Sequence, residues 1–185
     1  MMNFNEIRKY IVSDAYRYIG RKDLKSLTKL YFKNCFFRYI FWYRLSKSKS
    51  VFLSTIAKFI KSGLSKKTGI QISSSVKIGY GLFIPHGYVV INGTAVIGDN
   101  CNFCQFTTIG SVKKNAARLA DSVYVSPNVC IVEGVDIKSN VIIGAGSVIV
   151  KNISDNSVIA GVPGRELSST LKVEDYIKNP FLFDS

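Results

Sequence analysis

The chain has 185 residues, enough for one folded domain with a buried core. Apolar residues make up 47% and charged residues 20% of it, which excludes a disordered or low-complexity protein. The formal net charge is +13, from 25 Lys and Arg against 12 Asp and Glu. Such an excess suits a nucleic acid, an anionic membrane surface or an acidic polymer as partner, and composition alone does not choose among them.

The excess of positive charge lies entirely in the first third of the chain. Residues 1–69 contain 16 Lys and Arg but only three acidic residues, whereas residues 70–185 contain nine of each sign. This asymmetry predicts regions with different roles. We expect a basic, aromatic-rich helical region at 1–69, a second domain at 70–165 and a C-terminal tail at 166–185.

The basic region is predicted to be helical over 4–19 and 23–46. The aromatic residues crowded between Leu30 and Arg44 favour packing against the next domain. Lysines beside the apolar stretches also suit a helix that binds an anionic membrane surface; they are Lys47, Lys49, Lys58, Lys61, Lys66 and Lys67. No nucleic-acid-binding motif accompanies the charge, so we expect no nucleic acid as partner.

No stretch of the sequence has the pattern of a signal peptide or the length needed to cross a bilayer. The four cysteines are therefore expected to be free thiols in a reducing cytoplasm. Cys101 and Cys104 are expected to be packed side chains, and no metal is expected. We expect a cytoplasmic protein, with peripheral contact at the inner face of the cell membrane as a further expectation.

A strict six-residue repeat of apolar residues occupies the second half of the chain. Thirteen positions follow it in three series: Ile72, Ile78, Ile84 and Val90; Ile97, Phe103 and Ile109; Leu119, Val125, Ile131, Ile137, Ile143 and Ile149. This period predicts short strands that turn corners, as in a parallel β-helix of a little over four coils. The alternative, a β-sandwich, does not keep so constant a spacing. Residues 111–118 interrupt the repeat and are expected to form a protruding loop.

Four segments of the repeat region carry a resemblance to a known family. Lys77–Gly87, Thr94–Asn100, Ile143–Lys151 and Ala160–Arg165 resemble segments of the hexapeptide-repeat acyltransferases, in their serine O-acetyltransferase-like branch. The resemblance extends over about residues 30–167. It implies a mainly β fold, a left-handed parallel β-helix behind an N-terminal helical region. It also implies a homotrimer with active sites between subunits and acetyl-CoA as donor.

The resemblance also implies roles for individual residues. His86, the only histidine in the chain, matches the catalytic base, a role that suits an imidazole at neutral pH. Five residues match positions that contact the CoA arm or lie near its phosphates: Gly110, Ala145, Gly146, Lys151 and Arg165. Basic residues of the expected loop are further candidates for contacts with an anionic ligand: Lys113, Lys114 and Arg118.

Three departures from the family pattern bear on the acceptor. Gln71 stands where serine acetyltransferases have an acidic residue that orients the histidine, Pro85 replaces another acidic residue, and the segment 116–119 lacks a second histidine. Since a zwitterionic serine needs charged partners, we expect an O-acetyltransferase that modifies a sugar of a bacterial surface polysaccharide or its lipid-linked precursor. Gln71 and Asn92 are candidate acceptor-binding residues. The alternatives are a serine O-acetyltransferase and an inactive β-helix that acts as an adaptor.

Overall fold

The computed structural model describes residues 1–113 and 115–182. Four helices come first: α1 Phe4–Ile19, α2 Leu24–Lys33, α3 Cys35–Leu45 and α4 Val51–Thr68. The first begins at a capping box, in which the side chains of Asn3 and Glu6 each accept a hydrogen bond from the other's backbone N–H. In the described residues no helix is long and apolar enough to cross a membrane.

The helix predicted over 23–46 is two helices that meet at Asn34. The backbone of Asn34 is extended, at φ −116° and ψ 110°, and its side chain accepts hydrogen bonds from the amides of Phe36 and Phe37. Asn34 therefore ends α2 and caps the start of α3. Helix α4 lies within the helical region predicted at 1–69, although no bounds were predicted for it. It begins after a Ser50 cap and ends at Gly69 in the left-handed region, at φ 70°.

Fourteen short strands follow. They are β1 Gln71–Ile72, β2 Lys77–Ile78, β3 Val90–Ile91, β4 Val96–Ile97, β5 Asn102–Phe103, β6 Thr108–Ile109, β7 Arg118–Leu119, β8 Tyr124–Val125, β9 Cys130–Ile131, β10 Asp136–Ile137, β11 Ile142–Ile143, β12 Val148–Ile149, β13 Val158–Ala160 and β14 Arg165–Glu166. The first sheet has the order β1-β3-β6-β9-β12, the second β2-β4-β7-β10 and the third β5-β8-β11-β13-β14. Every pairing is parallel except that of β13 with β14. The predicted parallel β-helix is confirmed, and it has five coils.

The apolar repeat fills the interior of the β-helix, with one correction. Val90 was predicted to point inward, but it is 37% exposed and Ile91 takes the interior position at 3%. The corner after Ile84 contains one residue more than a regular turn, so the inward positions move by one. The fifth coil arises because Ile153 and Ile159 continue the buried track beyond Ile149.

At two of its three corners the chain repeatedly enters the left-handed region. The corner between the third and first sheets has five such residues, one above another: Gly69, Tyr88, Phe106, Asn128 and Gly146. The corner between the second and third sheets has another five: Gly81, Asn100, Ser122, Asn140 and Asn156. Gly and Asn adopt this conformation most readily, which explains the asparagines that recur at these corners.

The helices are anchored to the first coil through buried polar groups. Arg44 donates to both carboxylate oxygens of Asp14, at 2.7 and 2.9 Å, and to the carbonyls of Ile78 and Gly79 at 2.8 and 2.6 Å. Asp14 also accepts from the amide of Leu82 at 2.8 Å. Burial raises the pKa of Asp14, and the positive charge of Arg44 opposes this rise. The aromatic region thus packs on the base of the β-helix.

The C-terminal segment runs back along the outer face of the third sheet. Val173 and Ile177, in and beside the short helix α5 Val173–Tyr176, pack on Ile142. Further along, the side chain of Arg17 donates to the carbonyl of Lys178 at 3.0 Å. The segment therefore covers one of the three faces of the β-helix, and its described part contacts α1.

Candidate active site

His86 lies at the corner between the third and first sheets, where α4 meets the β-helix. The carbonyl of Thr68, the last residue of α4, accepts a hydrogen bond from the amide of Tyr88 at 3.0 Å. A Cβ atom on Gly87 would lie 1.9 Å from that same carbonyl oxygen. Only glycine leaves room for this close approach, so Gly87 determines the position of the neighbouring imidazole.

Helices α1 and α3 support the segment that leads to His86. The hydroxyl of Tyr18 donates to the carbonyl of Ile84 at 2.7 Å and accepts from its amide at 3.2 Å. The ring of Phe36 meets the imidazole edge to face, with 6.4 Å between ring centroids. His86 itself is exposed, and no group among residues 1–113 and 115–182 hydrogen-bonds its ring. The protein therefore presents a free imidazole on a firmly held turn.

Two aromatic side chains lie beside His86 in an unfavourable backbone conformation. Tyr88 and Phe106 both have φ 61°, where bulky residues are rare, and the strain costs on the order of 1–3 kcal/mol for each. Their rings stack at 5.2 Å and are 61% and 52% exposed. This pair was not predicted from the sequence. The only signal is that aromatic residues occupy corner positions that hold Asn128 and Gly146 in later coils.

The predicted donor-binding residues Ala145 and Gly146 share this corner with His86. Three coil steps of about 4.8 Å separate Gly146 from Tyr88, so they lie about 14 Å apart along the axis. A Cβ atom on Gly146 would meet nothing within 4 Å. Within the described chain, the amide of Ala145 has no acceptor. Lys151 and Arg165 lie exposed on or next to the fifth coil. The residues of the corner itself, Tyr88, Phe106, Asn128 and Gly146, are all exposed and form an open track along the axis of the β-helix.

The other predicted site residues lie along the first sheet. Gln71 is exposed in β1, beside Val90 of the next coil. The amide oxygen of Asn92 accepts from the backbone and hydroxyl of Thr94, and its nitrogen donates to the carbonyl of Ser111. Gly110 follows β6, and its amide donates to Ile131. Asn92 therefore acts as a corner residue, while the exposed side-chain amide of Gln71 has no hydrogen-bond partner among the residues that the structure describes.

The expected loop at 111–118 is held at its start and rejoins the β-helix earlier than predicted. One carboxylate oxygen of Glu133 accepts from the amides of Val112 and Lys113, at 2.7 and 2.8 Å. Ala116 and Ala117 are buried in the interior. Arg118 belongs to β7, where its exposed side chain lies 4.0 Å from Asp136. Lys114 lies outside the described residues.

Two cysteines of the β-helix, Cys101 and Cys104, are buried, whereas Cys130 is exposed on its outer surface. Cys101 is fully buried, which raises the pKa of its thiol to about 12, and Cys104 is also buried. All four cysteines are free. The described part of the chain has no cluster of three side chains suited to binding a metal ion.

No protein-family model matches the chain, but individual relatives do. It is 37% identical over 103 residues to a serine acetyltransferase of Synechococcus elongatus, a match that covers 53% of this chain and 42% of that protein. It is 38% identical over 102 residues to a serine acetyltransferase of Staphylococcus aureus, covering 52% and 48%. The chain therefore spans less than half the length of these relatives.

Solved structures of serine acetyltransferases share the fold. The enzyme of Neisseria gonorrhoeae matches with a TM-score of 0.76 and 26% identity, over 89% of this chain and 68% of that one. A complex with serine from the same organism gives 0.75 and 26%, over 87% and 69%. A serine acetyltransferase in complex with CoA gives 0.72 and 20%, over 89% and 71%. The predicted left-handed β-helix behind N-terminal helices is confirmed.

These similarities correct the main functional prediction. A polysaccharide-modifying enzyme with a saccharide acceptor is wrong, because the relatives and structural neighbours found are serine acetyltransferases, which was the stated alternative. The prediction rested on charged side chains missing at Gln71, Pro85 and 116–119. Uncharged residues at three positions do not by themselves define the acceptor. Ala116 and Ala117 are interior residues and cannot contact an acceptor at all.

Proposed function

We propose that this chain is an acetyl-CoA-dependent serine O-acetyltransferase with His86 as its general base. One observation carries the proposal: the only imidazole of the chain is exposed on a rigid turn, within a fold and sequence similar to serine acetyltransferases. The track from Ala145 to His86 supports it, because about 14 Å is a distance that an extended pantetheine arm spans.

In the proposed reaction His86 accepts the proton of the serine hydroxyl as its oxygen attacks the thioester carbonyl. The new carbon–oxygen bond forms, the carbon–sulfur bond breaks, and the imidazolium returns its proton to the departing thiolate. The turn anchored by Gly87, Tyr18 and Phe36 holds the ring in place, which reduces the entropy lost on reaching the reactive geometry. The stacked rings of Tyr88 and Phe106 line the same corner and shield it on one side from water.

The proposed donor site uses the backbone more than side chains. The unpaired amide of Ala145 offers a hydrogen bond to an amide carbonyl of the pantetheine arm, and the bare backbone of Gly146 lets the arm lie close. Lys151 and Arg165 lie near the end of the track and supply positive charge for the nucleotide phosphates. Acetyl-CoA is the co-substrate in this proposal, and no metal takes part.

We also propose a homotrimer that packs through the outer face of the first sheet. The third sheet is covered by the C-terminal segment, and the second presents the charged Lys77, Arg118 and Asp136. The first presents only uncharged residues: Gln71, Val90, Thr108, Cys130 and Val148. Because His86 borders this face, a neighbouring chain packed there contributes the groups that its imidazole lacks.

The test is release of free CoA thiol from acetyl-CoA, with and without L-serine. We expect serine-dependent release by the wild-type chain, and a loss of about 100- to 10,000-fold in His86→Asn, in which the base is gone and the exposed position tolerates the change. Lys138→Gln, another exposed substitution on the β-helix, should keep full turnover. No release by the wild-type chain would contradict the proposal and favour the inactive adaptor. Full turnover in His86→Asn would remove the assigned base.

A further inference from the structure

Helix α4 presents an apolar stripe to solvent. Phe52 and Phe59 are 78% and 82% exposed, and Ile56 lies between them at 37%. Spacings of three, four and seven residues place these side chains on one face of the helix. The opposite face holds the buried Ser54, Ala57 and Thr68. The stripe is therefore additional to the face that packs on α3 and the β-helix.

All the charged residues of α4 are lysines. The sequence has no acidic residue between Asp23 and Asp99, a stretch that contains 12 Lys and Arg. Lys49 precedes α4, and Lys58, Lys66 and Lys67 are exposed along it. Lys58 and Lys66 also line an open groove of about 780 Å³ between α4 and the first coil. An apolar stripe with lysines on its flanks is the pattern of a helix that lies in a lipid–water interface.

From this pattern we infer that α4 docks the protein on an anionic lipid bilayer, with Phe52, Ile56 and Phe59 inserted at the level of the head groups. Lys58, Lys66 and Lys67 then lie among the lipid phosphates, each contributing attraction to the negative surface. The inference is independent of the proposed acetyl transfer. Since α4 ends at Thr68, whose carbonyl contacts Tyr88, docking holds the candidate active site close to the membrane surface.

The positive charge of α4 favours a lipid bilayer over a second copy of the chain as its binding partner. Two copies that met through α4 in an isologous contact would bring the same lysines opposite one another, with no acidic residue on either helix to compensate. An acidic protein would satisfy the lysines. However, the exposed phenylalanines protrude from the face of α4 opposite its buried side chains, and lipid accepts a protruding stripe of any shape without a matching surface.

The experiment is co-sedimentation of the full chain with vesicles of phosphatidylcholine, alone or with about one third phosphatidylserine. We expect binding only to the anionic vesicles, weakened at high salt because screening shortens the reach of the lysines. Phe52→Ser/Phe59→Ser and, separately, Lys58→Gln/Lys66→Gln/Lys67→Gln should each weaken binding by about tenfold or more. All five side chains are exposed, so thermal unfolding should be unchanged.

Matched controls remove the same kinds of side chain elsewhere on the surface. Leu171→Ser/Leu182→Ser and Lys138→Gln/Lys172→Gln/Lys178→Gln should bind as the wild type does, since all these residues lie outside α4 and are exposed. Failure of the wild type to bind anionic vesicles overturns the inference, as does equal binding by the Phe52→Ser/Phe59→Ser variant. So does a sedimentation mass that falls in this variant, because a second copy then covers the stripe.

Discussion

Gly87 separates the imidazole of His86 from the end of α4, and its lack of a side chain is a testable requirement. In Gly87→Ala the new methyl group would lie 1.9 Å from the carbonyl oxygen of Thr68, so the turn and the helix must move apart. We expect a loss of about 1–3 kcal/mol in the free energy of unfolding, the usual cost of overpacking, and a fall in turnover because His86 moves with the turn. Urea unfolding and CoA thiol release measure the two effects.

Gly63→Ala is the matched control for this prediction. Gly63 lies within α4, and a Cβ atom there would meet nothing within 4 Å. The same substitution should therefore stabilise the protein by about 0.5–1 kcal/mol through better helix propensity, with no effect on turnover. Equal stability changes in the two variants would show that Gly87 is not the constraint described here.

Tyr88 and Phe106 show why some details of individual residues could not be predicted from the sequence. The six-residue period predicts which side chains fill the interior, because burial imposes that period on every coil. It does not predict that two aromatic residues adopt the left-handed conformation, since isolated aromatic residues avoid it. Nor does it show that Tyr88 lies beside Phe106, because residues 18 apart become neighbours only when two coils stack.

The sequence predicted those elements of the fold whose apolar residues recur at a regular spacing. The β-helix followed from the repeat, whereas the shift from Val90 to Ile91 depends on one extra residue in a corner, which no period contains. The break at Asn34 was missed because Asn34 interrupts a long apolar and aromatic run that otherwise suits one helix. The grouping of His86 with Ala145 and Gly146 depends on how coils superimpose, so it emerged from the structure and not from the sequence.

The contact between the helices and the first coil depends on a buried ion pair. Asp14 and Arg44 are both fully buried, and Arg44 also holds two backbone carbonyls of the β-helix. In Asp14→Asn the guanidinium keeps its position but loses its counter-charge. We expect the free energy of unfolding to fall by about 3–5 kcal/mol, as is usual when one partner of a buried pair is removed. Denaturant unfolding at one fixed protein concentration measures it.

Asp136→Asn provides the comparison for Asp14→Asn with the same chemical change. Asp136 pairs with Arg118 at 4.0 Å, but both side chains are well exposed to water. The expected loss is below about 1 kcal/mol, because solvent screens the pair. If both variants lose the same free energy of unfolding, burial of the Asp14–Arg44 pair is not the cause of the loss. If Asp14→Asn fails to fold, Asp14→Asn/Arg44→Met should restore folding by removing the unpaired charge.

At the scale of the whole molecule, the excess positive charge and the candidate active site lie in different regions of the chain. The net charge of +13 belongs to the helices, which hold the first coil through buried groups and leave α4 with an exposed basic surface. Residues 70–185, which include the β-helix and the C-terminal segment, are neutral overall, and the β-helix carries the candidate site at one corner. Its three faces differ: one is covered by the C-terminal segment, one is charged and one is uncharged. This difference is what makes the proposed assembly testable.

Cys130 lies on the uncharged face, in β9 between strands β6 and β12. In a trimer packed through the first sheet, Cys130→Arg places three positive charges near the symmetry axis without acidic partners. We expect the sedimentation mass to fall from that of three 20.6-kDa chains to that of one. Turnover should fall with it, because His86 then lacks the groups of its neighbour.

Asp136→Arg, on the outer face of the second sheet, should remain trimeric and active. A wild-type chain that sediments as a monomer contradicts the trimer itself, whereas a trimeric Cys130→Arg variant with full activity shows that another face forms the contact.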